Sequence, residues 1–518
     1  NTFAICGDGD MMEGIGCEAA SLAGHLKLSN LCWIYDDNRI TIEGSTDLAF
    51  SENVRARFEG LGWQTVIVED ANDMDAIDKS FQVFADTHDR PTLIILRSVI
   101  GYGSPNKAGT HGAHGSPLGV EEIKLTKSVY GWPTDAIFQV PDEVIADFAA
   151  GIGARGSKLS QQWKADLDRY AQQFPAEAEQ LQCIWDRKLP ATWDKSLRSY
   201  PADSKGLASR ASSGKTLNQI AENLPWLIGG SADLAPSNNT ALLGENDGDF
   251  GADNYGGRNF HFGVREHAMA AACNGMALSG LRSFGGTFFV FTDYMRPSMR
   301  LCALMKLGVI YVLTHDSIGL GEDGPTHQPV EHLAACRGIP NLLVMRPSDA
   351  NEVLEAYRVA IQNTDRPTAM ILTRQGLPTL DREVYNVADV ARGAYILKDA
   401  DGPPQVILLG TGSELQLCVQ AQERLASDGI AARVVSVPCM ELFAEQDVEY
   451  QESVLPSSIN ARVAVEAGIR QGWDGLIGSR GKFVGMTGFG ASAPIAKLYE
   501  HFGITVQATV AAAKEAIG

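Results

Sequence analysis

Short acidic and amide side chains follow two apolar runs near the start of the chain. Gly7-Asp8-Gly9 comes directly after the run Thr2–Cys6, and Asp36-Asp37-Asn38 comes directly after the run Leu31–Tyr35. Glycines let backbone amides approach a ligand closely, and the N-terminus of a helix expected from about Glu13 favours an anion. Magnesium prefers oxygen ligands and usually shares them with a phosphate. The pattern therefore suggests a phosphate and metal site, although a GDG tripeptide alone is more often a simple tight turn.

A glycine-rich loop between Gly101 and Gly119 carries two histidines, His111 and His114. Their HxxH spacing is one that zinc ligands use. Protein zinc sites need three or four ligands, and no third ligand accompanies this pair. The lack of a third ligand therefore disfavours zinc, and the pattern assigns no role to His114.

His315, Asp316, Asp323 and His327 follow the apolar run Val309–Thr314 within a few glycines of one another. A single buried histidine is most often a core residue with satisfied ring nitrogens. Ligands of parallel sheets collect beyond the carboxyl ends of strands, so several polar groups after one strand favour a binding site.

Glu266 and three aromatic side chains allow two interpretations. Glu266 follows Gly263-Val264-Arg265, and on its own it would be a surface carboxylate near the start of a helix. Phe288, Phe291 and Tyr294 lie three apart, a helical spacing that favours a stripe of core side chains over a binding pocket.

The elements that must position these side chains alternate between short apolar runs and helical patterns, which predicts α/β architecture with parallel sheets. Strands are expected at Thr2–Cys6, Leu31–Tyr35, Thr65–Val68, Thr92–Leu96, Trp226–Gly229, Ser283–Thr287, Val309–Thr314, Asn341–Met345, Thr368–Thr373, Val406–Leu409, Ala432–Val437 and Val463–Glu466. Helices are expected at Glu13–His25, Val54–Leu61, Met74–Phe84, Lys158–Arg187, Ser209–Asn223, Ala268–Leu278, Asp293–Met305 and Glu414–Ala426.

Length and composition agree with a large globular protein. The 518 residues predict about three domains, and 45% hydrophobic residues are enough to build their cores. A formal charge of −20 disfavours nucleic acid and anionic membranes as partners, but it leaves phosphorylated metabolites that a few local Arg and His residues could bind. No apolar run reaches the roughly 18 residues of a membrane span. Nine scattered cysteines without a CxxC pair fit reduced thiols, so we expect a cytoplasmic protein.

The spacing of Gly7-Asp8-Gly9 and Asn38 across a helix and a strand resembles the fingerprint of thiamine-diphosphate enzymes. Further motifs resemble the transketolase family, in the right order along essentially the whole chain. They are Gly7–Gly14 (GDGDMMEG), Gly101–Gly115 (GYGSPNKAGTHGAHG), Gly229–Ser237 (GGSADLAPS), Gly263–Glu266 (GVRE) and Thr314–Pro329 (THDSIGLGEDGPTHQP).

The resemblance implies three parallel-sheet α/β domains, the first incomplete at its N-terminus. The expected boundaries are 1–185 for the later part of the diphosphate-binding domain, 186–205 for a linker at Leu189-Pro190 and Tyr200-Pro201, 206–385 for the pyrimidine-binding domain and 386–518 for the C-terminal domain. Family members carry a further segment, with additional active-site histidines, ahead of the GDG strand. We therefore expect a longer natural protein, and any transit peptide would lie in its upstream segment.

The resemblance also implies how the cofactor is held. By analogy with the family, Mg²⁺ (with Ca²⁺ or Mn²⁺ as substitutes) would be bound by Asp8, Asn38 and the backbone carbonyl of Ile40. Thiamine diphosphate would contact Gly9, Glu13, Asn38, His111, Phe288, Phe291 and Tyr294, with Phe291 stacked on the aminopyrimidine. Glu266 would exchange a proton with the aminopyrimidine and so promote deprotonation of the thiazolium carbon.

For the substrate, the resemblance implies a sugar phosphate. His327 and His111 would aid catalysis at the reacting end of the sugar, and Asp323 would contact a sugar hydroxyl. Arg210, Ser237, His315 and Arg374 would bind the phosphate. Taken singly, either arginine would be an ordinary surface charge; together they form the local positive patch that an acidic protein needs.

The implied reaction is transfer of a two-carbon ketol unit from a ketose phosphate, such as xylulose 5-phosphate, to an aldose phosphate, such as ribose 5-phosphate or erythrose 4-phosphate. It belongs to the pentose phosphate pathway or Calvin cycle. The resemblance implies a homodimer with active sites at the subunit interface. Two alternatives stay open at this stage: dihydroxyacetone synthase, a relative that uses formaldehyde as acceptor, and a truncated, non-catalytic dimerising paralogue.

Overall fold

The computed structural model of the protein describes residues 1–387 and 389–518 and divides into two compact units, Asn1–Glu179 and Gln180–Gly518. Parallel sheets and helices build both units, so the predicted α/β fold is confirmed. Within the described ranges, no helix is both long and apolar enough to cross a membrane.

The first unit is built on a four-stranded parallel sheet with strand order β1-β2-β4-β3. Its strands are β1 (Thr2–Gly7), β2 (Leu31–Asp37), β3 (Gln64–Val68) and β4 (Thr92–Arg97). In β4, Leu93 and Ile95 pack into one core cluster and Ile94 packs into another. Because helices cover both faces of the sheet, this strand is a continuous apolar run without alternation. The register pairs Gly7 with Asp36, so the segments that follow β1 and β2 begin side by side at the carboxyl edge.

The helices of the first unit differ in places from the predicted ones. They are α1 (Asp8–Met12), α2 (Gly14–His25), α3 (Val54–Gly60), α4 (Met74–Asp86), α5 (Val120–Val129), α6 (Asp142–Phe148), α7 (Ala154–Gln173) and α8 (Pro175–Asp186), the last of which continues into the second unit. The Asp10 side chain accepts a hydrogen bond from the backbone N–H of Gly7 at 2.8 Å, and this cap starts a helix within the GDG segment rather than at Glu13. Glu13 has extended backbone angles and separates α1 from α2. The predicted helix Lys158–Arg187 is two helices that meet at Pro175, because proline starts a helix well and interrupts one.

The second unit contains a six-stranded parallel sheet with strand order β10-β11-β9-β8-β6-β7 and an antiparallel pair formed by β5 and β12. These strands are β5 (Asp203–Ala208), β6 (Leu227–Ser231), β7 (Asn259–His261), β8 (Arg282–Phe288), β9 (Ile310–Thr314), β10 (Leu343–Met345), β11 (Thr368–Leu372) and β12 (Gly376–Thr379). Phe288 and Leu372 both pair with Thr314 across the sheet. Three strand ends therefore meet at one edge, and the residues that follow them share a site.

A third sheet, with strand order β13-β15-β14-β16-β17, completes the second unit; only β13 runs antiparallel to its neighbour. Its strands are β13 (Tyr395–Lys398), β14 (Val406–Gly410), β15 (Ala432–Ser436), β16 (Arg462–Val465) and β17 (Lys482–Val484). The helices of the second unit are α9 (Ser209–Ala221), α10 (Ala235–Asn238), α11 (Glu266–Leu278), α12 (Thr292–Leu304), α13 (His332–Arg337), α14 (Ala350–Gln362), α15 (Leu415–Ser427), α16 (Met440–Ala444), α17 (Val448–Val454), α18 (Asp474–Ile477), α19 (Ile495–His501) and α20 (Val506–Ile517).

The segment predicted as a linker takes part in the core of the second unit. Trp193 and Leu197 are buried in the same apolar cluster as the strands and helices of that unit. Six of the nine cysteines are buried as well, which is the usual environment of a free cysteine that packs as a small apolar side chain.

Candidate active site

Asp8 lies at the N-terminus of α1 and is 3% exposed. The hydroxyl of Tyr35 donates to its Oδ1 at 2.7 Å, and the backbone N–H of Arg39 donates to its Oδ2 at 3.1 Å. Arg39 has φ of 59°, a left-handed conformation that turns its N–H toward the carboxylate. The carboxyl group is thus fixed by two donors at the carboxyl edge of the sheet.

Asn38 is held in the neighbouring segment. Its Nδ2 donates to Asp36 at 2.9 Å, and its Oδ1 accepts from the backbone N–H of Ile40 at 3.0 Å. Asp36 also accepts a hydrogen bond from Ser98, and Asp37 pairs with Arg97 at 3.1 Å. The two aspartates at the end of β2 are thus held by Asn38, Ser98 and Arg97, and Asp36 fixes the Asn38 amide in place.

The donor set fits magnesium. The two hydrogen bonds to Asp8 leave lone pairs free on both of its oxygens, since an ionised carboxylate offers about four acceptor positions. Burial raises the pKa of the Asp8 carboxyl, the hydrogen bond from Tyr35 opposes that shift, and the charge of Asp37 adds to it. A divalent cation would stabilise the ionised form, and carboxylate, amide and carbonyl oxygens are ligands that magnesium accepts.

Gly9 and Glu13 lie beside Asp8 along the chain, and both are exposed. A Cβ atom built on Gly9 would meet no heavy atom within 4 Å. Packing within the unit therefore does not require glycine at this position, and the open space leaves room for a ligand to approach the backbone.

His111 begins the short turn His111–Ala113 in the glycine-rich loop, and His114 follows this turn. His111 is exposed, and His114 is half-buried with its Nδ1 atom lacking a hydrogen-bond partner. Across residues 1–387 and 389–518, no group of three or more His, Cys, Asp and Glu side chains could hold a metal ion.

In the second unit, Phe288, Phe291 and Tyr294 form one aromatic cluster with two histidines. The rings of Phe288 and Phe291 stack with centroids 5.8 Å apart, and Tyr294 meets Phe291 edge-on at 6.1 Å. His327 lies edge-on to Phe291 at 5.7 Å. The helical stripe favoured by spacing alone is wrong, because Phe288 ends β8, Phe291 lies in the turn after it and only Tyr294 belongs to α12. Tyr294 is 64% exposed, so these rings line a surface instead of filling a core.

His315 is the buried centre of this region, at 3% exposure. Its ring lies 3.7 Å from that of Phe288 between centroids, and its backbone has φ of 63°. Residues held in this region of backbone space are concentrated at functional sites. Burial, together with the smaller effect of the charges of Arg210, Arg374 and His327, lowers the pKa of His315 to about 3. The imidazole is therefore neutral at physiological pH.

The predicted phosphate-binding residues come from four separated segments. Arg210 lies in the first turn of α9 and donates from Nη1 to the backbone carbonyl of Ser237 at 2.8 Å. Arg374 follows β11 and donates from Nη1 to the carbonyl of Leu320 at 2.9 Å. Burial lowers the pKa of Arg210, and the charge of Arg374 lowers it further. Two guanidinium groups that repel each other beside a neutral histidine form a site that an anion would stabilise.

Asp316 has a structural role, although the sequence grouped it with the site histidines. It is fully buried and pairs with Arg346 at 2.7 Å, and Arg346 also pairs with Glu414 at 2.6 Å. Burial alone would lower the pKa of Arg346, but the charges of Glu414 and Asp316 outweigh it and raise the pKa. The network ties the segment after β9 to the third sheet, and it leaves the exposed Asp323 and the half-buried His327 for a ligand.

Glu266 is the first residue of α11 and is 7% exposed, so the interpretation as a surface carboxylate is wrong. A carboxylate in the first turn of a helix is stabilised by the helix dipole. The preceding Gly263 has φ of +64°, and Val264 is 74% exposed. The turn thus buries the carboxylate while it presents an apolar side chain to the surface.

Sequence reasoning missed the buried residues whose hydrogen bonds support the site side chains. Tyr35, Thr314 and Asn238 are all buried. Tyr35 bonds to Asp8, Thr314 bonds to His315, and Asn238 bonds to Thr314. Thr314 and Asn238 stand within or next to the motifs that carry the family resemblance, which is the one signal that could have identified them.

Comparison with known proteins identifies the family. Three family models match consecutive parts of the chain: the transketolase thiamine diphosphate binding domain over residues 1–190, the transketolase pyrimidine binding domain over 205–379 and the transketolase-like C-terminal domain over 393–505. The chain is 51% identical over 520 residues to the transketolase of Geobacillus stearothermophilus, and the alignment covers 100% of this chain and 77% of the relative. The chain belongs to the transketolase family.

Further transketolases support the assignment. A chloroplastic transketolase sequence of Craterostigma plantagineum is 49% identical over 521 residues, covering 100% of this chain and 99% of the relative. A mutant transketolase of Pichia stipitis, solved in complex with xylulose 5-phosphate, superposes with a TM-score of 0.94 at 40% identity and covers 100% of this chain and 76% of the other.

The transketolase assignment confirms the predicted family, the three-domain fold and the enzyme class, a thiamine-diphosphate-dependent transferase. The predicted domain boundaries and the roles of individual site residues stay predictions.

Proposed function

We propose that this transketolase moves a two-carbon ketol unit from a ketose phosphate, such as xylulose 5-phosphate, to an aldose phosphate, such as ribose 5-phosphate or erythrose 4-phosphate. The observation that carries the proposal is the anion site in the second unit, where Arg210 and Arg374 lie close to the buried, neutral His315. Two cationic side chains suit the phosphate of a sugar. The xylulose 5-phosphate complex of the Pichia stipitis relative supports the same class of donor.

Asp8, the side chain of Asn38 and the carbonyl of Ile40 would hold Mg²⁺ against the cofactor diphosphate, with Gly9 and His111 as further diphosphate contacts. When bound, thiamine diphosphate would supply a nucleophilic carbon for the ketose carbonyl and an electron sink for the two-carbon unit. Tyr35 and the Arg39 N–H keep the Asp8 carboxylate in one orientation, so a metal would meet a preorganised ligand.

Residues of the second unit orient the cofactor ring and the sugar. Glu266 exchanges a proton with the aminopyrimidine, and Phe288, Phe291 and Tyr294 form the apolar surface for that ring. His327 moves a proton at the reacting oxygens, since it lies against Phe291 at the exposed end of the cluster. Asp323 accepts a hydrogen bond from a sugar hydroxyl.

The protein would act as a homodimer with active sites at the subunit interface. Val264 and Tyr294 support this, because both are large apolar side chains exposed beside the proposed cofactor-binding residues. A cytoplasmic location agrees with the free cysteines. Chloroplastic relatives make the Calvin cycle a second setting besides the pentose phosphate pathway.

Acceptor kinetics test the proposed specificity. The protein is assayed with thiamine diphosphate, Mg²⁺ and xylulose 5-phosphate, and with either ribose 5-phosphate or formaldehyde as acceptor. We expect a higher kcat/KM for ribose 5-phosphate, because Arg210 and Arg374 bind its phosphate. A preference for formaldehyde would instead identify a dihydroxyacetone synthase.

A further inference from the structure

Three buried side chains behind the phosphate site form a hydrogen-bonded chain that ends on His315. Asn238 is fully buried and donates from Nδ2 to the hydroxyl oxygen of Thr314 at 2.7 Å. The Thr314 hydroxyl, also fully buried, lies 2.9 Å from Nδ1 of His315. This series of hydrogen bonds extends from the end of α10 to the residue that follows β9.

The orientation of the Asn238 amide follows from its other contacts. The Nδ2 atom lies 3.1 Å from the backbone carbonyl of Thr287, and a carbonyl can only accept. The Oδ1 atom accepts from the hydroxyl of Ser231 at 2.9 Å. Asn238 therefore uses one N–H on Thr287 and the other on Thr314, and it cannot accept a proton from Thr314.

The position of the Thr314 hydroxyl hydrogen then determines which ring nitrogen of His315 carries the proton. Among the residues that the structure describes, the hydroxyl has hydrogen-bond contacts only with Asn238 and His315. If Nδ1 of His315 carried a proton, Thr314 would receive two N–H donors, and its own buried hydrogen would have no acceptor. A buried donor without an acceptor loses its hydrogen bond to water without replacement, so the arrangement in which the Thr314 hydroxyl donates to an unprotonated Nδ1 has the lower free energy.

We propose that Asn238 and Thr314 are positioning residues that hold His315 as the tautomer protonated on Nε2, so that a neutral imidazole donates one hydrogen bond to the substrate phosphate. The phosphate contact rests on the proposed function, whereas the tautomer rests on the hydrogen-bond geometry alone. The positive charge at the site then comes from Arg210 and Arg374. The hydrogen bond from His315 would orient the phosphate, and because the imidazole is neutral it adds no third positive charge for the two arginines to repel.

Selective ¹⁵N and ¹³C labelling of histidine tests the tautomer in the full-length protein. The His315 resonances are assigned by their loss in His315→Gln. We expect the shift pattern of an Nε2–H imidazole in the unmodified protein and in Thr314→Ser, which keeps the hydroxyl. Thr314→Val should shift the pattern toward Nδ1–H or a mixture. A matched control is Thr368→Val, because that threonine is equally buried in the same sheet and its hydroxyl has no partner.

Kinetics with phosphorylated and unphosphorylated donors test the phosphate contact. Thr314→Val should raise KM for the phosphorylated donor by on the order of tenfold with little change in kcat, as expected for loss of one charge-assisted hydrogen bond. Thr314→Ser and Thr368→Val should keep KM within about twofold. An Nδ1–H pattern in the unmodified protein, or one that Thr314→Val leaves unchanged, would overturn the tautomer assignment. Equal KM changes for both donors, with the tautomer as expected, would overturn the phosphate contact alone.

Discussion

Arg374 offers the sharpest quantitative test of the anion site. One N–H of its Nη1 donates to the carbonyl of Leu320 at 2.9 Å, which leaves the N–H groups of Nε and Nη2 for a phosphate. A hydrogen bond to a charged group contributes about 1.5 to 3 kcal/mol. Replacing Arg374 by alanine should therefore lower kcat/KM for xylulose 5-phosphate by roughly 10- to 150-fold, at about 1.4 kcal/mol for each factor of ten.

The distribution of that loss between KM and kcat is also predicted. The phosphate is remote from the bond that breaks, so Arg374 binds the ground state and the transition state about equally, and the loss should appear mainly in KM. Steady-state rates of Arg374→Ala are measured with xylulose 5-phosphate and with unphosphorylated xylulose. Arg424→Ala is the matched control, because Arg424 is an exposed arginine in the last turn of α15. Equal losses with both sugars would refute the assignment of Arg374 to the phosphate.

Three further predictions follow from other parts of the site. Glu266→Ala should abolish turnover while the unfolding midpoint changes little, measured by activity assay and thermal unfolding; near-normal activity would contradict its proton-transfer role. Arg346→Met should lower the free energy of unfolding by about 3 to 5 kcal/mol in denaturant titrations, because it leaves Asp316 and Glu414 as buried carboxylates without their partner; a loss below 1 kcal/mol would rule out that network as a structural tie. Because the pKa of His315 falls to about 3 in the folded state from an unfolded value near 6.5, the unfolded state binds more protons between these values, and stability should fall as the pH drops through that range. His315→Gln should therefore remove about 1 to 2 kcal/mol of the stability difference between pH 6.5 and pH 5, and an unchanged difference would refute a neutral, buried His315.

Strand positions were largely predictable because strands buried on both faces are apolar runs, as in β4, where Leu93 and Ile94 point into different core clusters. Helix boundaries were less predictable from the sequence. The start of α1 at Asp8 depends on a hydrogen bond from the backbone of Gly7 to Asp10, and a cap of this kind is not visible in hydrophobic periodicity.

The candidate site likewise contains residues that the sequence identified and contacts that only the structure reveals. The sequence motifs contained Asp8, Glu266 and His315, each beside the end of a strand or the start of a helix, and the family resemblance added Arg374. Spacing alone misassigned Phe288 to a helix, since the chain changes from β8 to a turn and then to α12 within a few residues. The partnership of Asp316 with Arg346 joins residues 30 positions apart in sequence, and only the folded structure reveals which charges become neighbours.

The central claim, transfer of a two-carbon ketol unit, is tested most directly by following the carbon atoms. The protein is supplied with thiamine diphosphate, Mg²⁺, ribose 5-phosphate and xylulose 5-phosphate labelled with ¹³C at C1 and C2, and the products are analysed by NMR. We predict a seven-carbon ketose phosphate labelled at C1 and C2, together with an unlabelled three-carbon aldose phosphate. Label that stays in the donor, or that moves as part of a three-carbon unit, would contradict ketol transfer.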